Sequence, residues 1–156
     1  MLKPKILVVE DNNQWQAILR NTLESVAGEV STVTNYTDAM HILTKTSFDL
    51  VLVDLRLTDY DSRDISGMAI VARLSELKIP TIIMTGYGNE NTVRTAFRDY
   101  NVIDYFQKAN FDLTEFRKTI DEVLKRAEDA TDKKTKNQKI ETKQSTRKSI
   151  KKTKGS

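Results

Sequence analysis

The sequence predicts an α/β fold, a doubly wound five-stranded parallel sheet with five helices. Three observations carry this. Short apolar runs rich in Val and Ile recur through residues 1–130, as strands buried on both faces require. Patterns of helical period fill the intervals between them. The two kinds of element alternate strictly, which calls for right-handed crossovers and helices on both faces of one sheet.

The first strand is Ile6 to Val9, running into Glu10 and Asp11. Trp15, Ile18, Leu19, Leu23 and Val26 then follow helical spacing, ending near Gly28. Val30 to Thr34 alternates and reads as a strand toward the sheet edge. Tyr36, Ala39, Met40 and Leu43 mark the second helix, with Asn35 as N-cap and Asp38 where a carboxylate favours the helix dipole. Leu50 to Val53 is a third strand and runs into Asp54. The third helix, roughly Gly67 to Leu77, is apolar around much of its surface, so its pattern fixes no single inward face. Ile82 to Met84 is the fourth strand and runs into Thr85. Val93, Ala96, Phe97 and Tyr100 form the next helical stripe. Val102 to Phe106 is the fifth strand, with Lys108 just beyond it. Asp112 to Glu115 has the form of a capping box opening the last helix, whose inward residues are Leu113, Phe116, Ile120, Val123, Leu124 and Ala127.

The 156-residue chain carries a net charge of +3, unevenly distributed. From Thr131 to Ser156, nine Lys and one Arg face only Asp132 and Glu141, a net of +8 that leaves −5 for residues 1–130. The basic segment has no aromatic residue, and its only large apolar residues are Ile140 and Ile150. Too little surface can be buried there to offset chain entropy, so a disordered Lys-rich tail over 131–156 is expected beside a domain over 1–130. The absence of cysteine excludes disulfides, thiol catalysis and Cys-ligated zinc. The apolar run from Ile6 stops at Glu10, too short for a signal peptide or a membrane span, and a cytoplasmic protein without membrane attachment is expected.

In a parallel sheet, the residues that follow the strands gather at the carboxyl-terminal edge, where ligands of open α/β sheets bind. Here they are Glu10, Asp11, Asp54, Thr85 and Lys108. Two carboxylates ~4 Å apart repel by about 4 kcal/mol at an effective dielectric near 20. Three in one pocket call for raised pKa values or a cation among them. Hard oxygen ligands with open positions suit Mg²⁺. Phosphoryl transfer needs a nucleophile, a metal and positive charge on the transferring oxygens. Asp54 suits the nucleophile, as a carboxylate able to form an aspartyl-phosphate. Asp11 suits the metal, with Glu10 adjoining it directly or through water. Lys108 suits one phosphoryl oxygen and the Thr85 hydroxyl another.

This constellation resembles the response-regulator receiver domain of two-component signalling, with its CheY-like, flavodoxin-like fold. The resemblance spans about residues 1–127 and rests on Glu10-Asp11, on Asp54 within Val51 to Leu57, on Thr85 within Met84 to Gly88, and on Tyr105 to Lys108. It implies a single-domain response regulator, not a turnover enzyme, that accepts phosphate on Asp54 from a histidine kinase or histidine phosphotransfer protein. It implies Asp11, Asp54 and the Arg56 backbone carbonyl as Mg²⁺ ligands, and Tyr105 as the aromatic that turns inward when Thr85 moves to the phosphoryl group. The surface of the fourth helix, fifth strand and fifth helix would then present a changed face to a downstream protein. Arg56 and Tyr87 would tune the lifetime of the phosphorylated state.

Two features depart from the family pattern. Ala109 stands where a proline usually follows the lysine, so a trans bond is expected there. The loop after Asp54 is long, with the acidic, polar stretch Thr58 to Asp64 before Gly67. Among rival functions, a haloacid-dehalogenase-type phosphatase needs a second acid at the position of Arg56, and an FMN carrier needs a phosphate loop where Glu10 to Asn13 would repel phosphate. A phosphorylation-independent interaction module of receiver fold is one alternative. Attachment to nucleic acid through the basic tail is another.

Overall fold

The computed structural model describes residues 3–57, 66–86 and 90–153, and divides into two compact units, Met1–Leu124 and Lys125–Ser156. Elements alternate in the first unit: β1 (Lys5–Val9), α1 (Asn13–Leu23), β2 (Glu29–Val33), α2 (Tyr36–Lys45), β3 (Leu50–Asp54), α3 (Ser66–Glu76), β4 (Thr81–Thr85), α4 (Glu90–Asp99), β5 (Asp104–Gln107), a 3₁₀ turn (Lys108–Asn110) and α5, which runs from Leu113 to Thr153. The sheet order is β2-β1-β3-β4-β5, with every pairing parallel. This is the doubly wound α/β architecture that the alternation predicts.

Successive strand side chains point to opposite faces. Leu7, Val9, Val51, Val53 and Ile83 therefore face one core, completed by Ala39, Ile70, Val71, Leu74 and Ala96 from α2, α3 and α4. Ile6, Val8, Leu50, Leu52, Ile82 and Met84 face the other, completed by Leu19, Leu23, Phe116, Ile120 and Val123 from α1 and α5. Covering both faces is what makes the strand sequences continuously apolar. β2, at the sheet edge, keeps only intermediate burial over four of its five residues.

Helix caps fall where the side chains allow. Asn12 Oδ1 accepts from the Trp15 amide at 3.0 Å and Asn35 Oδ1 from the Asp38 amide at 2.8 Å. Asp112 Oδ1 accepts from Thr114 and Glu115 at 2.9 and 3.1 Å. α3 resolves its ambiguous pattern by burying Gly67, Ile70, Val71 and Leu74. It ends in a Schellman motif: Ile79 N donates to Leu74 O, Lys78 N donates to Ser75 O, and Lys78 is left-handed at φ 56°.

Several expectations need correction. α1 stops at Leu23, short of Gly28, as a turn through Val26 and Ala27 closes onto the Leu23 carbonyl. Ile18, Tyr36, Phe97 and Leu113 sit at the margins of their stripes and stay about 40% exposed. The segment 131–156, expected to be disordered, is helical through Thr153 in its described part. No Gly or Pro interrupts residues 113–153, and Lys, Arg, Gln and Glu are good helix formers. The inability to build a core, on which the expectation rested, does not prevent a locally bonded helix.

Candidate functional site

The sheet brings the strand-end residues together. Val9 pairs with Val53, so Glu10 and Asp54 emerge side by side, and Asp54 pairs with Met84, which places Thr85 one step beyond. β1 and β3 are neighbours although β2 intervenes in sequence, so the residues sit at the switch point of the strand order. Glu10, Asp54 and Thr85 are buried, and Asp11 is half-buried.

Each carboxylate is held from its own loop. Glu10 Oε1 accepts from the Asn12 amide at 3.0 Å, and the Gln16 side-chain amide donates to the Glu10 carbonyl. Asp54 Oδ1 accepts from the Arg56 amide at 3.0 Å. Lys108 reaches in from the turn after β5. Its Nζ lies 2.7 Å from Asp54 Oδ2 and 2.6 Å from Glu10 Oε2. The second contact is an ion pair, and Glu10 Oε2 is buried with Lys108 as its near cation. Ala109 does not spoil this aim: no cis peptide bond occurs among the described residues, as expected without proline. The ammonium also stands 5.5 Å from the ring centroid of Trp15, which packs edge-on against Phe111 at 5.4 Å.

The electrostatics follow from burial. Removal from water pushes Glu10 up to about 7, helped by the nearby Asp54 charge and opposed by Lys108. Burial likewise raises Asp54, against its bonds to Lys108 and the Arg56 amide. For Lys108, burial works downward, but the pairing with Asp54 and Glu10 outweighs it and the pKa rises. Carboxylate oxygens of Glu10, Asp11 and Asp54 all lie within 4.8 Å of one another. Three carboxylates with one ammonium leave net negative charge. This hard-oxygen set fits a small divalent cation such as Mg²⁺. Asp11, Asp54, Thr85 and Lys108 line an open cavity of about 440 Å³.

Three contributors escape a reading of motifs. Asn12 and Gln16 fix Glu10; the Asn12 cap position was the available signal. Gly67 lies so close to the end of β3 that a Cβ would fall 2.4 Å from both Asp54 O and Leu55 Cα. A glycine inside a helical pattern is the hint of such an approach. Tyr105 is half-buried and packs against the α2–α3–α4 core. Tyr87 and the stretch Thr58 to Asp64 lie outside the described residues.

The model of the response regulator receiver domain matches residues 6–121. The chain belongs to this family. The receiver is similar to sporulation initiation phosphotransferase F of Bacillus subtilis, 28% identical over 126 residues that cover 80% of this chain and 96% of that protein. It also resembles the Detocs response regulatory protein DtcB of Enterobacter cloacae, 29% identical over 53% of this chain and 65% of that one. Among solved structures, the CheY-like receiver from Methanospirillum hungatei superposes with a TM-score of 0.71 at 20% identity, covering 81% of this chain and 98% of that chain; this likeness concerns the fold. The receiver is thus a two-component signalling domain, and no helix among its described residues is long and apolar enough to cross a membrane.

Proposed function

We propose that this receiver accepts a phosphoryl group on Asp54 from a histidine kinase or histidine phosphotransfer protein and signals by a conformational switch. The observation that carries the reading is the buried contact of Lys108, just beyond β5, with both Asp54 at the end of β3 and Glu10 at the end of β1. A carboxylate oxygen of Asp54 forms the new O–P bond as the P–N bond to the donor histidine breaks, and the leaving imidazole keeps its electron pair and takes a proton from solvent. Lys108 already neutralises the nucleophile and stays within reach of a phosphoryl oxygen. The Thr85 hydroxyl, at the end of β4, donates to another. Asp11 and Asp54 hold Mg²⁺, with Glu10 and the Arg56 carbonyl completing the protein's share. Bound there, the ion supplies positive charge to the transferring oxygens.

Once phosphate sits on Asp54, Thr85 is drawn toward it and Tyr105 turns inward, biasing an existing two-state equilibrium at the face of α4, β5 and α5 that a downstream protein reads. Arg56 and Tyr87 adjust the lifetime of the adduct. Arg56 stands where a turnover phosphatase needs an acid, so the chain acts on itself, not as a hydrolase. The relative named a phosphotransferase supports a phosphorelay role, and a cytoplasmic setting suits such donors. That Lys108 reaches Asp54 with Ala109 behind it supports this reading over a phosphorylation-independent module.

The test is labelling with acetyl phosphate or a candidate kinase, followed by peptide mapping of the acid-labile adduct. Label should fall on Asp54, need Mg²⁺, and disappear on chelation and in Asp54→Asn. Equal labelling of that variant would reject the assignment.

A further inference from the structure

We propose that the helical extension of α5 beyond Ala130 binds the phosphate backbone of duplex nucleic acid without reading sequence. Lys133, Lys136, Lys139, Lys143 and Arg147 recur every three or four residues and are all exposed, so they form one basic face. Neighbouring Cβ atoms on such a face lie ~5–6 Å apart, and duplex DNA presents one phosphate charge per ~1.7 Å of axis, so several phosphates can be met at once.

The rest of the helix excludes the other occupants of a cationic surface. A separate face is lined by Thr131, Thr135, Thr142, Thr146 and Ser149, whose hydroxyls donate to carbonyls four residues earlier. Small side chains with satisfied hydroxyls give nothing to insert into a bilayer, where an interfacial helix needs Trp, Phe or Leu. The two large apolar residues, Ile140 and Ile150, are 53% and 55% exposed and ten positions apart, and Ile140 lies among Lys136, Lys143 and Arg147, so they form no continuous apolar stripe. No aromatic residue follows Phe116, so single-stranded bases find no stacking platform and a protein partner finds no aromatic anchor. Nine lysines against one arginine over 131–156 favour point-charge contact with phosphates over bidentate reading of bases.

The experiment uses the full chain and a fluorescent duplex of scrambled sequence, with anisotropy read across a salt series. Binding should weaken at least about tenfold between ~50 and ~200 mM salt and should not change when the duplex sequence changes. Replacing Lys133, Lys136, Lys139 and Lys143 together by Glu should abolish it, while the response of Trp15 fluorescence to Mg²⁺ with beryllofluoride is kept. The matching set of Gln replacements reads the same contacts should the acidic set lose helix by circular dichroism. No binding by the natural chain at ~50 mM salt, binding indifferent to both sets of replacements, or tighter capture on phosphatidylglycerol vesicles than on duplex would each overturn the proposal.

Discussion

At the scale of single residues, the site is a problem of charge burial, and Glu10 shows it most clearly. Its pKa moves from an ordinary 4.5 to about 7, chiefly through burial. Between those values the folded chain keeps a proton that the unfolded chain releases, so stability falls as pH rises through the interval; the penalty is absent below 4.5 and complete above about 7. Asp54, also raised, acts in the same sense. Lys108, raised above its ordinary 10.5, contributes stability at every lower pH and loses it only in strongly alkaline solution. Glu10→Gln should therefore flatten the fall in the denaturation midpoint between about pH 5 and 7 in metal-free buffer. A variant with the parent's full slope would show that the carboxylate is not titrating there.

At the scale of elements, two positions, one at each end of α3, make opposite predictions. Gly67 meets the backbone of Asp54 and Leu55, which cannot give way as a flexible side chain would. Gly67→Ala should lose about 1–3 kcal/mol in chemical denaturation, by overpacking at the end of β3. It should also slow labelling of Asp54, because the displaced backbone carries the nucleophile; a variant with native stability and labelling would remove the close approach from the account. Lys78 ends the helix in a left-handed conformation that favours glycine. Lys78→Gly should gain about 0.5–1 kcal/mol and raise the melting midpoint by a few degrees. Elements of this kind mark the limit of what sequence conveys. Glu10, Asp11, Asp54, Thr85 and Lys108 are legible because each closes an apolar strand and parallel strands share one edge. Gly67 is not, because its role depends on a distant strand end. Phe97 has the right spacing for an inward stripe, yet only the packed structure decides where that stripe's margin lies.

At the scale of the whole molecule, the chain joins two kinds of stability. Residues up to Leu124 bury two cores against one sheet, and such a unit unfolds cooperatively. The described residues from Glu128 to Ile150 are all exposed, so their helix rests on local bonds and propensity. The composition from which disorder was expected leaves out local helix formation, which needs no core. A helix held that way loses order gradually on heating, since each turn rests on local bonds. The full chain should therefore lose ellipticity at 222 nm along a broad slope before the sheet domain melts. Truncation after Ala130 should remove the slope and much of the helical signal while leaving the cooperative midpoint unchanged. A lower midpoint in the truncated protein would mean that the extension supports the domain through contacts of its own.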